Sequence, residues 1–316
     1  MRSYEIPIRI RALKTANIYV VETESRKILV DSGMGPEVDN FLKFSGEDAK
    51  TFDLIILSHL HIDHIGGAVH LRSKYGIPVG MGAGDIDLMN RIKGDPNWFE
   101  KSYTGQLKEN GMPEALLNKY TRETPIMREI DYYQNFEVDE RLDGNYSLGT
   151  KTGIKLIDVP GHSPGSICVY LPNEKTIFTG DHVLRNISPN ISKYVGIRDS
   201  LGSYLSSLEK LADLETEYVL PGHGMPFNSL HDRVSDLISH HRARLDEIIE
   251  IDRDWYSAYE IAGRMKWSKG RSMDSMNTME TIFAVGEATS HLERLEEEGK
   301  VKATDRDGVK LYKTST

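Results

Sequence analysis

The sequence predicts an α/β protein followed by a small carboxy-terminal unit of helices and a hairpin. Three observations carry this expectation. Short apolar, β-branched runs alternate with helical stretches from about residue 15 to residue 230. Several of those runs stop at a glycine-bearing turn and then a histidine or aspartate. Beyond residue 254 the order changes to helices and then a hairpin. With 316 residues the chain can form one large domain and one small one.

The elements follow in order. Asn17 to Glu22 reads as a strand, rich in β-branched and aromatic residues. Lys27 to Val30 runs into Asp31-Ser32-Gly33, and Asp53 to Leu57 runs into a histidine cluster. Gly67 to Tyr75 reads as a short helix closed near Gly76. Residues from about 85 to 130 read as broken helices forming an insertion, interrupted by Gly94, Pro96, Gly105, Gly111, Pro113 and Pro125. Met89, Trp98, Tyr103, Met112, Tyr120 and Met127 suit either packing against the body or a lid over a pocket. Ile154 to Val159, Thr176 to Phe178 and Tyr218 to Leu220 repeat one pattern of strand, glycine turn and candidate ligand. The ligands are His162, Asp181 and His223. Leu201, Tyr204, Leu205, Leu208 and Leu211 have helical spacing. Ligands gathered at strand ends place chemistry on one rim of a sheet scaffold.

A long helix from His231 to about Ile251 is expected to link residues 1–230 to residues 255–316, with the linker over 231–254. The small unit reads as helices over Ala258 to Met265, Thr278 to Val285 and Gly286 to Glu298. A hairpin follows, turning at Asp307-Gly308. This order resembles a winged helix.

Composition narrows the function classes. Hydrophobic content of 39% and charged content of 28% are ordinary for a soluble globular protein. A formal net charge of −9 gives no global attraction to phosphate backbones or anionic membranes. The single cysteine, Cys168, excludes an intramolecular disulfide and suits a reducing compartment. Its apolar setting, Ser166 to Tyr170, predicts a small buried hydrophobe. The first residues lack the charged region and apolar stretch of a signal peptide, and no run of about 18 apolar residues occurs, so the expected location is the cytoplasm.

The most specific stretch is Leu57-Ser58-His59-Leu60-His61-Ile62-Asp63-His64-Ile65-Gly66-Gly67. His59 and His61 are two apart, so in an extended segment both face one side and can meet one metal ion. Asp63 and His64 follow on the turn leaving the strand and can reach a second. Imidazole nitrogen with carboxylate oxygen suits zinc, and also iron or manganese. A metal pair that holds a water is suited to hydrolysis.

The stretch HLHIDH matches the HxHxDH signature of the metallo-β-lactamase superfamily, which this chain therefore resembles over about residues 15 to 230. Gly161-His162-Ser163-Pro164-Gly165, Gly180-Asp181 and Gly222-His223-Gly224 are similar to that family's later motifs, in the same order. The resemblance implies an αββα sandwich with two divalent metal ions at one edge of the sheets. It implies that His59, His61 and His162 hold the first ion, that Asp63, His64 and His223 hold the second, and that Asp181 bridges both. Asp31 resembles the family's buried aspartate that orients a ligand histidine.

Two departures refine the branch. One large class of dizinc β-lactamases has a cysteine where Asp181 stands, so antibiotic hydrolysis is not expected. An aspartate bridge is similar to the glyoxalase II, lactonase and nuclease branches. The di-iron redox branch has a glutamate where His61 stands, which argues against oxygen reduction. The implied mechanism is attack by a metal-bridging hydroxide on a small carbonyl ester, thioester or lactone, with Asp63 handling the proton. The alternative is metal-dependent phosphodiester cleavage of single-stranded RNA.

Other residues are weighed more lightly. His182 follows Asp181 and is expected to point elsewhere. His70, His231, His240, His241 and His291 sit in helical stretches and are expected to be mostly solvated or capping. Arg185, Asn186 and Tyr194 follow Asp181 on a loop leaving the metal rim and are candidates for contact with a small-molecule substrate. In the winged-helix-like unit, residues 286–298 carry five glutamates and one arginine, a composition that repels phosphate and argues against nucleic acid. Packing on the body, homodimer formation or shaping the pocket are the expected roles of that unit. Leu292 and Leu295 offer an apolar edge for packing.

Overall fold

The structure, a computed structural model, describes residues 1–8, 14–123, 133–146, 148, 153–194, 197–251, 254–267 and 270–315. Pro125 and Met127 of the expected insertion lie outside them. Among the described residues, one sheet holds β1 (Arg2–Pro7), β2 (Thr15–Glu22), β3 (Lys27–Val30), β4 (Leu54–Leu57), β5 (Val79–Gly82) and β6 (Glu140–Leu142) in sequential order. The pairs from β1 to β3 are antiparallel and those from β3 to β6 are parallel. A second sheet has the order β10-β9-β8-β7. Its strands are β7 (Lys155–Asp158), β8 (Ile167–Leu171), β9 (Thr176–Gly180) and β10 (Tyr218–Pro221).

Alternation along the strands shows how the sheets pack. Tyr19, Val21, Leu54, Ile56, Ile167, Val169 and Phe178 share one core between the two sheets. Their neighbours Ile18, Val20, Ile55 and Leu57 face the other way. They meet helices α1 (Val38–Ser45), α2 (Ile62–Tyr75) and α3 (Ala83–Gly94). On the second sheet, Cys168, Tyr170, Ile177 and Val219 turn outward onto α6 (Ser200–Ala212) and α7 (Leu230–Glu250). The layers are helix, sheet, sheet, helix, an αββα sandwich. Cys168 is fully buried and burial raises its thiol pKa, as its apolar run predicts.

Helix α2 begins five residues earlier than the glycines suggest. Gly67, where the sequence places the helix start, lies inside the helix together with Gly66. A Cβ on Gly67 would stand 2.1 Å from the Ser32 carbonyl oxygen, and one on Gly66 would stand 2.6 Å from the Gly35 nitrogen. The glycines let the helix lie against the loop after β3. Asp63 and His64 therefore occupy the first helical turn rather than a free turn.

The stretch 83–123 forms α3, α4 (Pro96–Glu109) and α5 (Glu114–Glu123). Its aromatic and methionine side chains pack inward: Met89 in the first helical layer, Met112 and Tyr120 in the second. The carboxy-terminal unit contains α8 (Ala258–Arg264), α9 (Thr278–Glu297) and a sheet of β11 (Tyr256–Ser257), β13 (Val309–Thr314) and β12 (Val301–Arg306). The two expected helices on either side of Gly286 are one continuous helix. Ala258, Ile261, Leu292, Leu295 and Tyr312 join the same core as Cys168 and Leu201 of the body. Among the described residues, no helix is long and apolar enough to cross a membrane.

Candidate metal centre

Four of the seven candidate ligands sit just past a strand's carboxyl end, and Asp63 and His64 open the helix that follows β4. His59 follows β4, His162 follows β7, Asp181 follows β9 and His223 follows β10. Asp31 follows β3 at φ 58°, a left-handed conformation that aspartate tolerates better than most residues. The sandwich thus brings residues from five strand ends to one edge.

Seven side chains converge there, all buried except the partly exposed His61. His59 Nε2 lies 2.9 Å from His61 Nδ1, and His162 Nε2 lies 3.1 Å from the same atom. His64 Nε2 and His223 Nε2 are 3.3 Å apart, and Asp63 Oδ2 is 3.3 Å from His223 Nε2. Asp181 stands between these groupings. Its Oδ1 is 3.5 Å from His64 Nε2, and its Oδ2 is 3.4 Å from His223 Nε2 and 3.9 Å from His162 Nε2.

The outer partners decide which nitrogen each imidazole turns inward. His64 Nδ1 donates to Asp31 Oδ2 at 2.8 Å. His59 Nδ1 meets Ser58 Oγ at 2.9 Å, and that hydroxyl donates to Asp31 Oδ2 at 2.9 Å. His223 Nδ1 donates to the Thr15 carbonyl at 2.7 Å and His162 Nδ1 to the Asn190 carbonyl at 3.1 Å. With a proton held on Nδ1, Nε2 is the nitrogen that each of these rings turns toward the centre. His61 is reversed: its Nδ1 faces inward and its Nε2 meets the Tyr194 hydroxyl at 2.7 Å.

Electrostatics divides the histidines into two kinds. Burial holds His59, His61 and His162 below the ordinary imidazole range, with His61 at about 3, because neighbouring imidazoles add to the burial of His59 and His61. These rings are neutral, the form that binds metal. Burial also disfavours charge on His64 and His223, but nearby carboxylates outweigh it. Asp31 leads for His64, raised to about 9, and Asp181 leads for His223, raised to about 11. Asp63 and Asp181 resist burial through the same histidines and fall below the usual carboxylate range.

The donor set fits a metal pair. Three groupings offer ligand atoms within 4.8 Å of one another: His59, His61 and His162; Asp63, His64 and His223; and His59, His64 and Asp181. Asp181 Oδ1 is buried and has no hydrogen-bond partner. A buried carboxylate oxygen without a donor is costly unless a cation meets it.

The family model of the metallo-β-lactamase superfamily matches residues 12–223, a span that contains all seven side chains. This chain belongs to the metallo-β-lactamase superfamily. It is a hydrolase of that superfamily, and its histidine and aspartate groupings could hold divalent metal. A beta-lactamase-like protein 2 homolog of Caenorhabditis elegans is 25% identical over 76% of this chain and 66% of its own length. The chain thus spans about two thirds of that relative. An atrochrysone carboxyl ACP thioesterase of Aspergillus fumigatus is 24% identical over 75% of this chain and 59% of its own. A metallo-beta-lactamase family protein of Thermus thermophilus shares the fold across 99% of this chain and 98% of its own, with a TM-score of 0.82 at 24% identity.

The other candidates divide. Tyr194 reaches the centre through His61, whereas Arg185 and Asn186 are exposed and Arg185 donates to the Pro226 carbonyl at 3.4 Å. His182 is buried against the Tyr204 ring, with both ring nitrogens unpartnered. His241 and His291 differ from expectation: both are fully buried, and His241 Nδ1 meets His291 Nε2 at 3.1 Å.

One residue at the superfamily centre escapes sequence reading. Asp85, in the first turn of α3, is fully buried. It accepts from Leu60 N at 2.9 Å, Gly165 N at 2.6 Å and Ser163 Oγ at 2.8 Å. It therefore joins the loop carrying His59 and His61 to the loop carrying His162. Burial raises its carboxyl to about 7 against those three donors. The only signal is an aspartate opening a helix after Gly82-Ala83-Gly84, which also describes many ordinary helix starts.

Proposed function

We propose that this chain is a dinuclear metal-dependent hydrolase of a small carbonyl ester, thioester or lactone, with a thioester as the first substrate to test. In this reading His59, His61 and His162 would hold one ion, Asp63, His64 and His223 would hold the other, and Asp181 would serve both sets. The observation that carries it is the position of Asp181, between the two sets with a buried, unpartnered oxygen. Zinc is the expected metal on the donor chemistry of five imidazoles and two carboxylates, with iron and manganese also compatible.

Two bound ions would polarise a substrate carbonyl and lower the pKa of water to about 7. The protein's own part is to hold the ligands' tautomers through Asp31, Thr15, Asn190 and Tyr194, and to move a proton. Asp63 accepts the proton of the attacking water and returns it to the leaving group. The ACP thioesterase relative supports a thioester within the carbonyl class, and the aspartate at 181 supports a glyoxalase II-like branch.

Elemental emission on purified protein tests the centre, and turnover tests the substrate class. About two ions per chain and hydrolysis of a model thioester or lactone are expected. Fewer than one ion per chain overturns the centre. Salt-sensitive binding and cleavage of short RNA, with no carbonyl hydrolysis, overturns the substrate class.

A further inference from the structure

We propose that helix α9 of the carboxy-terminal unit is a positioning element of the metal centre, acting through the stretch 190–194 that sets the His162 and His61 rings. The proposal rests on the reading of those two histidines as ligands.

The stretch faces the centre on one side. The Asn190 carbonyl accepts from His162 Nδ1 at 3.1 Å, and the Tyr194 hydroxyl meets His61 Nε2 at 2.7 Å. Both contacts lie on the ring atom opposite the one that faces the centre, so each fixes ring orientation and tautomer. A shift of the stretch would move both rings together.

On its other side the stretch is fastened to α9. Asn190 Nδ2 donates to Glu287 Oε2 and to the Phe283 carbonyl, each at 3.3 Å. Ser290 Oγ donates to the Ile191 carbonyl, Lys193 N donates to the Gly286 carbonyl at 3.3 Å, and the Lys193 ammonium pairs with Glu293. Positions 283, 286, 287, 290 and 293 repeat at three- and four-residue spacing, so a single face of α9 makes every tether. At Gly286 a Cβ would stand 2.5 Å from Ser192 Oγ, so the helix and the stretch touch where the glycine sits. Glycine therefore serves close approach here and does not end the helix.

Glu287 is braced from behind. Arg244 Nε lies 3.8 Å from Glu287 Oε1, and the Arg244 guanidinium stacks on the Trp267 ring at 4.3 Å. A continuous line of contacts thus runs from Trp267 and Arg244 through Glu287 and Asn190 to His162. The glutamates of this helix that look like a phosphate-repelling face are in part internal: Glu287 and Glu293 point to the body and carry its loop.

The test is cobalt binding by the full-length protein, read from the visible d–d spectrum and by competition with a chelator. Asn190→Ala keeps the backbone carbonyl on His162 but removes the tether to α9. Glu287→Ala removes the tether from the other side, and Glu287→Gln restores an acceptor. Both alanine variants should bind the first cobalt roughly tenfold more weakly, with a changed spectrum, at the low end for lost outer partners of a ligand. Glu287→Gln should recover most of that loss. Glu296→Ala, on the same helix but paired with Lys310, should bind as wild type. Wild-type affinity and spectrum in folded Asn190→Ala and Glu287→Ala would overturn the proposal. If Glu287→Ala does not fold, Asn190→Ala alone decides it. Wild-type protein that binds no cobalt would instead overturn the metal reading, and this proposal with it.

Discussion

The Asp31 carboxylate holds His64 through a 2.8 Å contact from Oδ2 to Nδ1, and holds Ser58 through its nitrogen at 2.8 Å and its hydroxyl at 2.9 Å. Since Ser58 Oγ also meets His59 Nδ1, one carboxylate orients a histidine in each proposed ion's set. Asp31→Asn is the clean test, because asparagine also tolerates the left-handed backbone at this position. Its amide N–H₂ would face groups that already donate. Metal affinity should fall about 10- to 100-fold, measured by chelator competition. Unchanged affinity and turnover would remove Asp31 from the orienting role.

Asp85 acts on the backbone rather than on a ring. Replacing it with alanine leaves the Leu60 and Gly165 N–H groups buried without their acceptor. Each orphaned donor costs about 1–3 kcal/mol, so Asp85→Ala should lose about 2–6 kcal/mol in denaturant unfolding. The two ligand loops would also separate, so activity should drop further than stability alone explains. A variant with wild-type unfolding midpoint would refute the tie.

The contrast between Asp31 and Asp85 explains what is legible in sequence. Asp31, His59, His61, Asp63 and His64 sit beside strand runs, and their residue types match one chemistry, so local pattern suffices. Asp85 contacts residues 25, 78 and 80 positions away, and no local pattern encodes that. Gly67 and Gly286, each read as the start of a helix, mislead for the same reason: both lie inside one, where a distant backbone or side chain requires a glycine. His241 and His291 are 50 residues apart, so their pairing inside the core is equally hidden. The individual strands are legible because apolar, β-branched runs are local, whereas the layered arrangement is expected only from the superfamily resemblance.

Buried neutral histidines set the pH response of the metal-free protein. Burial depresses His61, His182 and His291 to about 3 and His241 to about 2, from an ordinary value of 6.5. Unfolding therefore takes up protons at these sites between about 3 and 6.5, so stability rises with pH across that window. His64 and His223, raised to about 9 and 11, act with the opposite sign. Their contribution is full below about 6.5 and is lost as pH rises through the raised values. Asp85, raised to about 7, and Glu287 and Glu293, whose carboxyls burial also raises, oppose the histidines as pH rises from about 4. Chemical denaturation of metal-free protein should give maximum stability near pH 6.5 to 7, a steep fall toward pH 4 and a shallower one toward pH 9. A flat profile from pH 4 to 7 would contradict the neutral buried state of these rings.

Gly222 offers the sharpest steric test of Asp181. A Cβ there would stand 2.4 Å from Asp181 Oδ1, 2.7 Å from His64 Cε1 and 3.0 Å from the Gly180 carbonyl carbon. Gly222 is not among the glycines with positive φ, so alanine is compatible with its backbone and only the contacts object. The methyl would push the carboxylate out from between the two ligand sets. Gly222→Ala should therefore lose about one of two ions and at least about 100-fold in kcat/KM, the size expected when a metal ligand or its support is displaced. Asp181→Ala should give the same loss without a change in backbone. Gly224→Ala is the control two residues on: its φ is 76° and nothing lies within 4 Å of a Cβ. It should lose about 1 kcal/mol of stability to backbone strain and keep both ions. Elemental emission on the three variants, with circular dichroism to confirm folding, separates the cases. Two ions and full turnover in Gly222→Ala would mean that Asp181 does not bridge.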